Sequence, residues 1–432
     1  MDTTINGKDP KAYPHYRRNF GAVLADYTLF GVAIAFASPN TILPAFVRQL
    51  TDSPFLIGLN STIQTAAWLF PQLVAANYLG GKAQKKRYIL IPAAIGRPAF
   101  FVLVLALLLG AARYPALILS LLFVGMALFW ATDALAAVAW FDVVAKSFPS
   151  KRRGRLFGLG QVLSGLLTVG AGFIINYILG RKGPAFPHNY ALLFLAAGAL
   201  LALSWLATAL LKEPRGNVKA DDAQPETPFL QRLTRIWRKD RAFRRFITVR
   251  LLIGSSGLAI PFYVIFATDR LGLGEGMIGS FTSAQVIGGM IGGVLLGALY
   301  ERHGGRRTIQ VGVSAGALTP LLALILPLWL PPGHPWLSYG YAAVFVALGI
   351  YQSAFMQGFF NYLMDMASDD ERATYIALSN TINGIVLWPV SLIGGAILKF
   401  TGNAYPILFA VTMAGMSLGL FYTTRLADTR NT

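Results

Sequence analysis

Long apolar runs, separated only by short basic interruptions, are the feature that most limits how this chain can fold. Hydrophobic residues make up 55% of the sequence and charged residues only 13%, about half of the charged share in soluble domains. A run of about 20 apolar residues can cross the hydrocarbon core of a bilayer. Because water is absent there, a crossing segment without strict alternation must be a helix. The pattern therefore predicts an all-α, polytopic membrane protein.

Twelve segments have the length and composition of membrane spans. Their predicted boundaries are 20–47, 55–79, 88–110, 115–144, 156–180, 190–211, 246–269, 277–300, 308–330, 337–363, 375–399 and 404–426. The first run is too long for the apolar region of a cleavable signal, so we expect it to remain as the first span.

The widest gap divides the spans into six plus six. We predict an N-terminal tail at 1–19, a first six-helix bundle at 20–211, a linker at 212–245, a second bundle at 246–426 and a C-terminal tail at 427–432. In the linker, apolar residues including Leu233, Ile236 and Trp237 recur at helical spacing between arginines. This spacing predicts an amphipathic basic helix that lies in the headgroup region.

Basic residues concentrate in alternate loops. Of the 37 Lys and Arg residues, 29 lie in the tails and alternate loops, six lie in the other loops, and two, Arg97 and Arg250, lie inside spans. Basic loops stay in the cytoplasm, so both termini are predicted to be cytoplasmic, in a bacterial-type inner membrane. The net charge of +18 is thereby explained by the lipid bilayer, and no nucleic-acid partner is expected.

Metal and thiol chemistry have little support in the sequence. The chain has no cysteine, and its four histidines share no ligand spacing. We therefore expect no metal and no cofactor.

The two halves of the chain repeat weakly. Asp133 aligns with Gln352 at a shift of 219 residues, and Gln64 aligns with Gln285 at a shift of 221. Repeated halves are common in carriers, whose binding site then lies near the bilayer midplane.

The most specific motif is the loop between the eighth and ninth spans, Gly297-Ala-Leu-Tyr-Glu301-Arg302-His-Gly304-Gly305-Arg306-Arg307. It resembles the Gly-x-x-x-Asp-Arg-x-Gly-Arg-Arg loop of the major facilitator superfamily, with Glu301 in the acidic position. The Lys151-Arg-Arg-Gly-Arg155 run is also similar to this family. The equivalent first-half loop, 77–87, has Gly81 where an acid is expected.

The resemblance covers nearly the whole chain. It implies a carrier of two pseudo-symmetric six-helix bundles, with a cavity lined mainly by spans 1, 4, 7 and 10. Because one chain then holds a complete cavity, we expect the protein to work as a monomer. We assign gate or loop-motif roles on the cytoplasmic side to Glu301, Arg302, Gly304, Arg306, Arg307, Asp142, Arg153, Arg155 and Arg250. Within this set, Asp142 is expected to pair with Arg153 or Arg155, and Arg250 to extend toward the interface.

Asp133 is the strongest candidate for a functional group inside the membrane. A charge at the centre of a span costs about 2.5–3.5 kcal/mol, so it usually faces a cavity or a partner. Asp133 lies about twelve residues, or roughly 18 Å, from the cytoplasmic end of the fourth span. Trp130 and Trp140 share its helical face. Such an acid suits reversible proton uptake, and the alternative is a structural pairing with a neighbouring helix.

The remaining cavity candidates are Arg97, Asp26, Gln64, Gln285 and Gln352. Arg97 either binds an anionic group or neutralises an acid such as Asp133. Asp26 either lines a gate or pairs with Arg17 or Arg18. The glutamines either bind a polar substrate or form hydrogen bonds between helices.

A second pattern concerns packing. Gly289, Gly293 and Gly297 form a stripe that predicts close helix contact in the eighth span.

The leading functional hypothesis is a secondary active transporter that moves a small solute by alternating access, with proton coupling and drug or metabolite efflux. The alternatives are an uptake symporter for a sugar-like metabolite, an intramembrane enzyme, and a channel or lipid scramblase. An enzyme is disfavoured because intramembrane hydrolysis needs a nucleophile with a base or a metal site, and the four histidines fall in tails or loops without a His-Glu-x-x-His motif. The chain also lacks a phosphate-binding Gly-x-x-x-x-Gly-Lys-Ser/Thr loop.

Overall fold

The computed structural model describes residues 15–79, 82–214, 234–238, 240–367 and 372–427, and its regular elements there are all helical. The α-helices are α1 (Tyr16–Phe36), α2 (Ile42–Leu50), α3 (Pro54–Leu79), α4 (Arg87–Gly96), α5 (Ala99–Leu108), α6 (Pro115–Ser147), α7 (Ser150–Leu179), α8 (His188–Leu210), α9 (Arg241–Ile253), α10 (Phe262–Asp269), α11 (Met277–Trp329), α12 (Leu337–Ala354), α13 (Asn361–Met366), α14 (Arg372–Leu387), α15 (Val390–Phe400) and α16 (Tyr405–Thr423). The predicted all-α polytopic fold is confirmed.

The number of spans is consistent with the twelve predicted. Within the described residues, ten segments are long and apolar enough to cross a membrane. One of them, α11, contains 53 residues and bends at Gly304, where φ is 78°. Counting its two arms separately gives eleven, and α3, which has 26 residues but is less apolar than these segments, occupies the place of the remaining predicted span. Only glycine adopts this backbone conformation readily, which explains the glycine at the bend.

Two of the spans are interrupted by irregular turns. Between α9 and α10 the backbone forms a 3-10 helix at Gly254–Leu258, whose sequence Gly-Ser-Ser-Gly-Leu favours the α-helix weakly. Pro261 follows and has no backbone N–H to donate. Between α12 and α13 lies a π-helix at Phe355–Phe360. Interruptions of this type are frequent at functional sites.

The described residues belong to two compact units. The first unit comprises Met1–Ala37, Ala67–Thr168 and Ala185–Ala223, and the second comprises Ser38–Ala66, Val169–Pro184 and Gln224–Thr432. A core of the first unit packs Phe148 and Val143 against Leu211. A core of the second unit includes Phe246 and Tyr362, whose rings stack with centroids 5.5 Å apart.

Part of the predicted linker helix is buried. Residues 234–238 are helical, and Ile236 packs in the core of the second unit with only 3% of its surface exposed, whereas Trp237 is 41% exposed. Most of the linker, with positions 1–14 and 428–432 of the tails, lies outside the described residues. The division into tails, bundles and linker therefore stays a prediction.

The tightest helix contact in the second unit joins α11 and α12. A Cβ atom on Gly349 would lie 1.9 Å from the carbonyl oxygen of Gln285, and one on Gly288 would lie 2.1 Å from that of Val346. The predicted contact stripe of Gly289, Gly293 and Gly297 is wrong in its register, because a Cβ atom added to Gly293 would have no neighbouring atom within 4 Å. The contact runs through Gly288 and Gly292 instead, one position earlier on the helix.

Substitution of Gly349 tests this contact. The change Gly349→Ala forces two backbones apart, and overpacking of this kind costs about 1–3 kcal/mol. We expect a lower midpoint of thermal unfolding in detergent. The matched control Gly293→Ala introduces the same methyl group into open space and should unfold at or above the wild-type temperature. Equal midpoints for the two variants would contradict the close contact.

Candidate functional site

Arg97 lies at the break between α4 and α5, where Pro98 interrupts the helix. The side chain is 9% exposed, and its Nη1 donates hydrogen bonds to the Leu201 carbonyl at 2.6 Å and to Ser204 Oγ at 3.2 Å. Its guanidinium also lies 5.8 Å from the centroid of the Phe30 ring. Four helices of the first unit, α1, α4, α6 and α8, thus meet around one buried cation.

Asp26 on α1 is held by hydrogen-bond donors of the same unit. Ser204 donates to Oδ1 at 2.5 Å, and Trp140 Nε1 donates to Oδ2 at 2.8 Å. The expected pairing with Arg17 or Arg18 is wrong, because about 12 Å or more of helical rise separates those arginines from Asp26. Arg18 instead donates to the Leu210 carbonyl at the end of α8.

Asp133 on α6 differs from Asp26 in its surroundings. It is partly exposed, and among the residues that the structure describes it accepts no hydrogen bond and forms no ion pair. Arg97 and Asp26 are close enough to interact with it electrostatically. Arg97 and Asp133 come close because α4 packs tightly against α6 at the residues just before them. A Cβ atom on Gly96 would lie 1.9 Å from Thr132 Oγ1.

Aromatic residues flank this acidic group on α6. Trp130 is buried, and its ring lies 6.0 Å from that of Trp68 in an edge-on arrangement. Trp140, predicted on the same face, uses its indole N–H for Asp26. The structure therefore brings together Asp26, Arg97, Asp133 and Trp140, which we call the charge cluster.

The predicted partner of Asp142 is wrong. Asp142 forms ion pairs with Lys146 one turn later at 2.5 Å and with Lys85 at 3.2 Å. Arg153 turns away and donates to the carbonyl oxygens of Ala145 and Phe148, while Arg155 is exposed. Lysine one helical turn away is the closer partner for an acid near the end of α6.

The first-half loop receives a carboxylate from elsewhere in the chain. Glu213 follows α8, and its carboxylate accepts hydrogen bonds from the backbone N–H groups of Lys85 and Lys86 at 2.8 Å. These N–H groups precede α4, so the carboxylate also lies at the positive end of that helix. Glu213 thus supplies a carboxylate to the described part of this loop, whereas Gly81, where the sequence motif lacks its acid, lies outside the described residues.

The second-half loop is organised around the bend in α11. Gly304 is buried at the bend, and Arg306 donates to the carbonyl oxygen of Thr424 at 2.6 Å. Glu301, Arg302 and Arg307 are exposed.

Arg250 lines a cavity of 440 Å³ within the second unit. Its Nη1 donates to Ser379 Oγ at 2.6 Å, and its guanidinium lies 5.0 Å from the centroid of Phe355 and 5.9 Å from that of Phe246. The expectation that Arg250 extends toward the interface is therefore wrong. The ring contacts and Ser379 hold the side chain against the cavity.

The three glutamines have different surroundings. Gln285 on α11 donates to Gln352 on α12 at 2.7 Å, so two of the proposed cavity groups form a hydrogen bond between helices. Gln352 also lines the cavity of Arg250. Gln64 is partly buried and forms no hydrogen bond with a described residue.

Sequence reasoning missed several polar residues that organise these sites. Ser204 bridges Arg97 and Asp26, and Ser379 binds Arg250. In the second unit Arg48 also joins Asp269 at 2.5 Å and Asp52. Ser204 is one of only two serine or threonine residues in the span 190–211, which is a signal that could have marked it, whereas Ser379 begins the polar run Ser379-Asn-Thr-Ile-Asn383 and does not stand out from it.

The Ser204 bridge makes a stability prediction. Ser204→Ala removes one hydrogen bond to Asp26 and one from Arg97, and a buried polar group left unsatisfied costs about 1–3 kcal/mol. We expect a clearly lower unfolding midpoint by intrinsic tryptophan fluorescence. The control Ser120→Ala removes an exposed hydroxyl that bonds only to Ala116 of its own helix, and it should unfold like the wild type. If the two variants unfold together, the bridge contributes nothing measurable.

Solved structures of transporters share this fold. The chain superposes on a POT family transporter in complex with a thioalcohol-conjugated peptide with a TM-score of 0.69 at 11% identity, covering 97% of this chain and 99% of that one. For the nucleoside transporter NupG the TM-score is 0.68 at 13% identity, covering 94% and 99%. For a D-xylose–proton symporter it is 0.61 at 16% identity, covering 96% and 98%. At these identities the likeness shows the fold alone.

Sequence comparison identifies the family. No curated protein has a sequence that matches the chain significantly. The sequence pattern of the Major Facilitator Superfamily, however, matches residues 27–389. The predictions of an integral membrane transporter, and of a protein that is not an enzyme, are thereby confirmed. The chain belongs to the Major Facilitator Superfamily.

Proposed function

We propose that this secondary transporter couples the movement of a small organic solute to protons, and that Asp133 in the charge cluster carries the coupled proton. The observation behind this proposal is the charge imbalance of the cluster. Two carboxylates, those of Asp26 and Asp133, interact electrostatically with one guanidinium, that of Arg97, without a direct ion pair to it. When all three are ionised the cluster has a net charge of −1, and one added proton makes it neutral.

The two acids differ in a way that favours Asp133 as the proton acceptor. Asp26 is 6% exposed and already accepts hydrogen bonds from Ser204 and Trp140. Asp133 is partly exposed and has no hydrogen-bond donor among the described residues. A proton therefore reaches Asp133 without breaking an existing hydrogen bond, whereas protonation of Asp26 disturbs two.

The chemistry of coupling follows from the low dielectric of the membrane. A net charge inside hydrocarbon is costly, so the cluster is more compatible with rearrangement of the surrounding helices when it is neutral. Gain and loss of one proton would then bias the conformational equilibrium. Alternating access in either direction can use this bias, by antiport for export or by symport for uptake.

The proton on Asp133 is testable without knowledge of the solute. In pH-difference infrared spectra of the purified protein in lipid, the wild type should show a carboxylic acid band that Asp133→Asn lacks, because the substituted amide binds no proton. The control Asp142→Asn removes an acid that is ion-paired to Lys85 and Lys146 and should retain the band. A band of unchanged size in Asp133→Asn would assign the proton to another group and end the proposal.

The solute and the coupling can be found together. Thermal unfolding is measured against a panel of metabolites and drugs at two pH values, and a ligand at 100 times its Kd stabilises by about 2.7 kcal/mol. We expect the stabilisation to depend on pH in the wild type and not in Asp133→Asn. Flux of the same ligand in vesicles under imposed pH gradients then gives the direction. A ligand whose stabilisation changes with pH equally in both proteins would contradict coupling through Asp133.

A further inference from the structure

Arg250 is a cation inside a membrane span, and its anionic partner is missing from the part of the chain that the structure describes. No carboxylate of a described residue forms an ion pair with it. Its one hydrogen bond goes to the neutral hydroxyl of Ser379. A guanidinium has five N–H donors arranged to bind a carboxylate or phosphate in pairs. Most of these donors therefore have no acceptor in the part of the chain that the structure describes.

This arrangement is costly unless something occupies the cavity. An arginine inside a span is expensive, and such residues face a partner or a water-filled space. Arg250 is nine residues beyond Arg241, where α9 begins, or about 14 Å along the helix axis. The ring of Phe355 packs against the guanidinium and holds it in place, but a ring supplies no counter-charge.

The cavity has the construction of a binding site. It is bounded on one side by the 3-10 turn, with Ser256 and Gly257, and on the other by the π-helix, with Phe355 and Phe359. Interrupted helices of this type line the substrate sites of many transporters. Its volume of 440 Å³ is within the range of about 300–1,000 Å³ that suits small organic ligands.

The polar groups near Arg250 are also incompletely paired. Asn383 lines the cavity and is 6% exposed. Its Nδ2 donates to the Ser379 carbonyl at 2.6 Å, but its Oδ1 has no donor among the described residues. Buried polar atoms without a partner are rare in folded proteins.

The walls of the cavity are mainly apolar. Phe355, Phe359 and Tyr351 supply rings, and Ile260 and Leu387 supply aliphatic surface. A small hydrophilic ion would leave this surface unfilled. A ligand with an anionic head and an apolar or aromatic body would instead place its charge on Arg250 and its body against the rings.

We propose that the cavity of the second unit binds an amphipathic organic anion, whose carboxylate or phosphate is held by Arg250. This inference rests on the proposed transport function, since the anion is then the carried solute. The charge cluster and Arg250 would have separate tasks, with the proton at Asp133 and the anion at Arg250.

The first test uses ligands that share a body and differ in charge. The probes are 4-phenylbutyrate and 1-naphthyl phosphate, with 4-phenylbutanol and 4-phenylbutylamine as the uncharged and cationic counterparts of the first. Binding to the full-length protein in phosphatidylcholine nanodiscs is measured by calorimetry. We expect 4-phenylbutyrate to bind at least about tenfold more tightly than its two counterparts, as charge-assisted hydrogen bonds imply. Equal or tighter binding of the amine would overturn the proposal, and this comparison needs no variant.

The second test changes the arginine. Arg250→Gln should weaken binding of both anions by about tenfold or more. Arg250→Lys keeps the charge but not the paired donors, so its affinity should lie between those of the wild type and Arg250→Gln. The control Arg245→Gln removes an exposed charge from the same helix and should bind as the wild type does. Unchanged affinity of Arg250→Gln for both anions would also overturn the proposal.

An anionic lipid has the same head-group chemistry as a soluble phosphate, so the two sources must be separated. The calorimetric measurements are repeated in nanodiscs that contain phosphatidylglycerol. If the probes bind with the same affinity, the site takes soluble anions, as proposed. If the lipid abolishes their binding in the wild type, a lipid head group is the occupant and the proposal of a soluble solute fails.

The anion site and the proton site can fail separately. Asp133→Asn should still bind 4-phenylbutyrate, because Arg250 is unchanged. If its infrared band persists while the anions require Arg250, the proton assignment fails and the anion site stands. If the band disappears while Arg250→Gln binds the anions normally, the proton assignment stands and the anion site fails.

Discussion

The cost of a charge in hydrocarbon is the constraint on which the interior of this protein depends. Arg97 and Arg250 are the two basic residues that the sequence places inside spans, and the structure treats them differently. Arg97 is surrounded by carbonyl, hydroxyl and carboxylate groups of its own unit. Arg250 has one hydroxyl and two rings. Among the described residues, Arg97 therefore has polar and acidic neighbours, although its Nε has no hydrogen-bond acceptor, whereas Arg250 has only neutral contacts.

The repeat between the halves makes this difference informative. Asp133 in the first half aligns with Gln352 in the second, so an acid on one side of the repeat corresponds to an amide on the other. In the second unit Gln285 donates a hydrogen bond to the amide oxygen of Gln352, and no acid that the structure describes forms an ion pair with Arg250. The aligned positions of the two halves therefore carry groups of different charge. This asymmetry supports separate proton and anion sites in the proposed mechanism.

An irregular stretch of backbone lies next to each of the two buried arginines, Arg97 and Arg250. Pro98 breaks the helix at Arg97, a 3-10 turn follows Arg250, and a π-helix carries Phe355. Helical hydrogen bonds are otherwise obligatory in a bilayer, so breaks are tolerated only where other groups or a cavity satisfy the backbone. These breaks lie beside the two buried arginines. The local sequence, rich in Gly, Ser and Pro, therefore places irregular backbone where a charged side chain can act.

The sequence by itself determined the all-helical membrane fold, the family and the residues inside spans that are expensive to bury. The fold and the costly residues follow from composition, because a bilayer imposes one length and one polarity on every span. The family follows from the loop motif. The sequence did not determine partners. For Asp26 the alternative to a gate role was a pairing with Arg17 or Arg18, and Asp26 instead accepts hydrogen bonds from Ser204 and Trp140. Asp142 pairs with lysines in place of the expected arginines.

The tertiary structure decided these pairings, and also which glycines touch and which way Arg250 points. The physical reason is that sequence spacing fixes the face of a helix on which a residue lies, but not the rotation of that helix against its neighbours. That rotation depends on close contacts such as Gly96 on Thr132 and Gly349 on Gln285, between residues far apart in the chain.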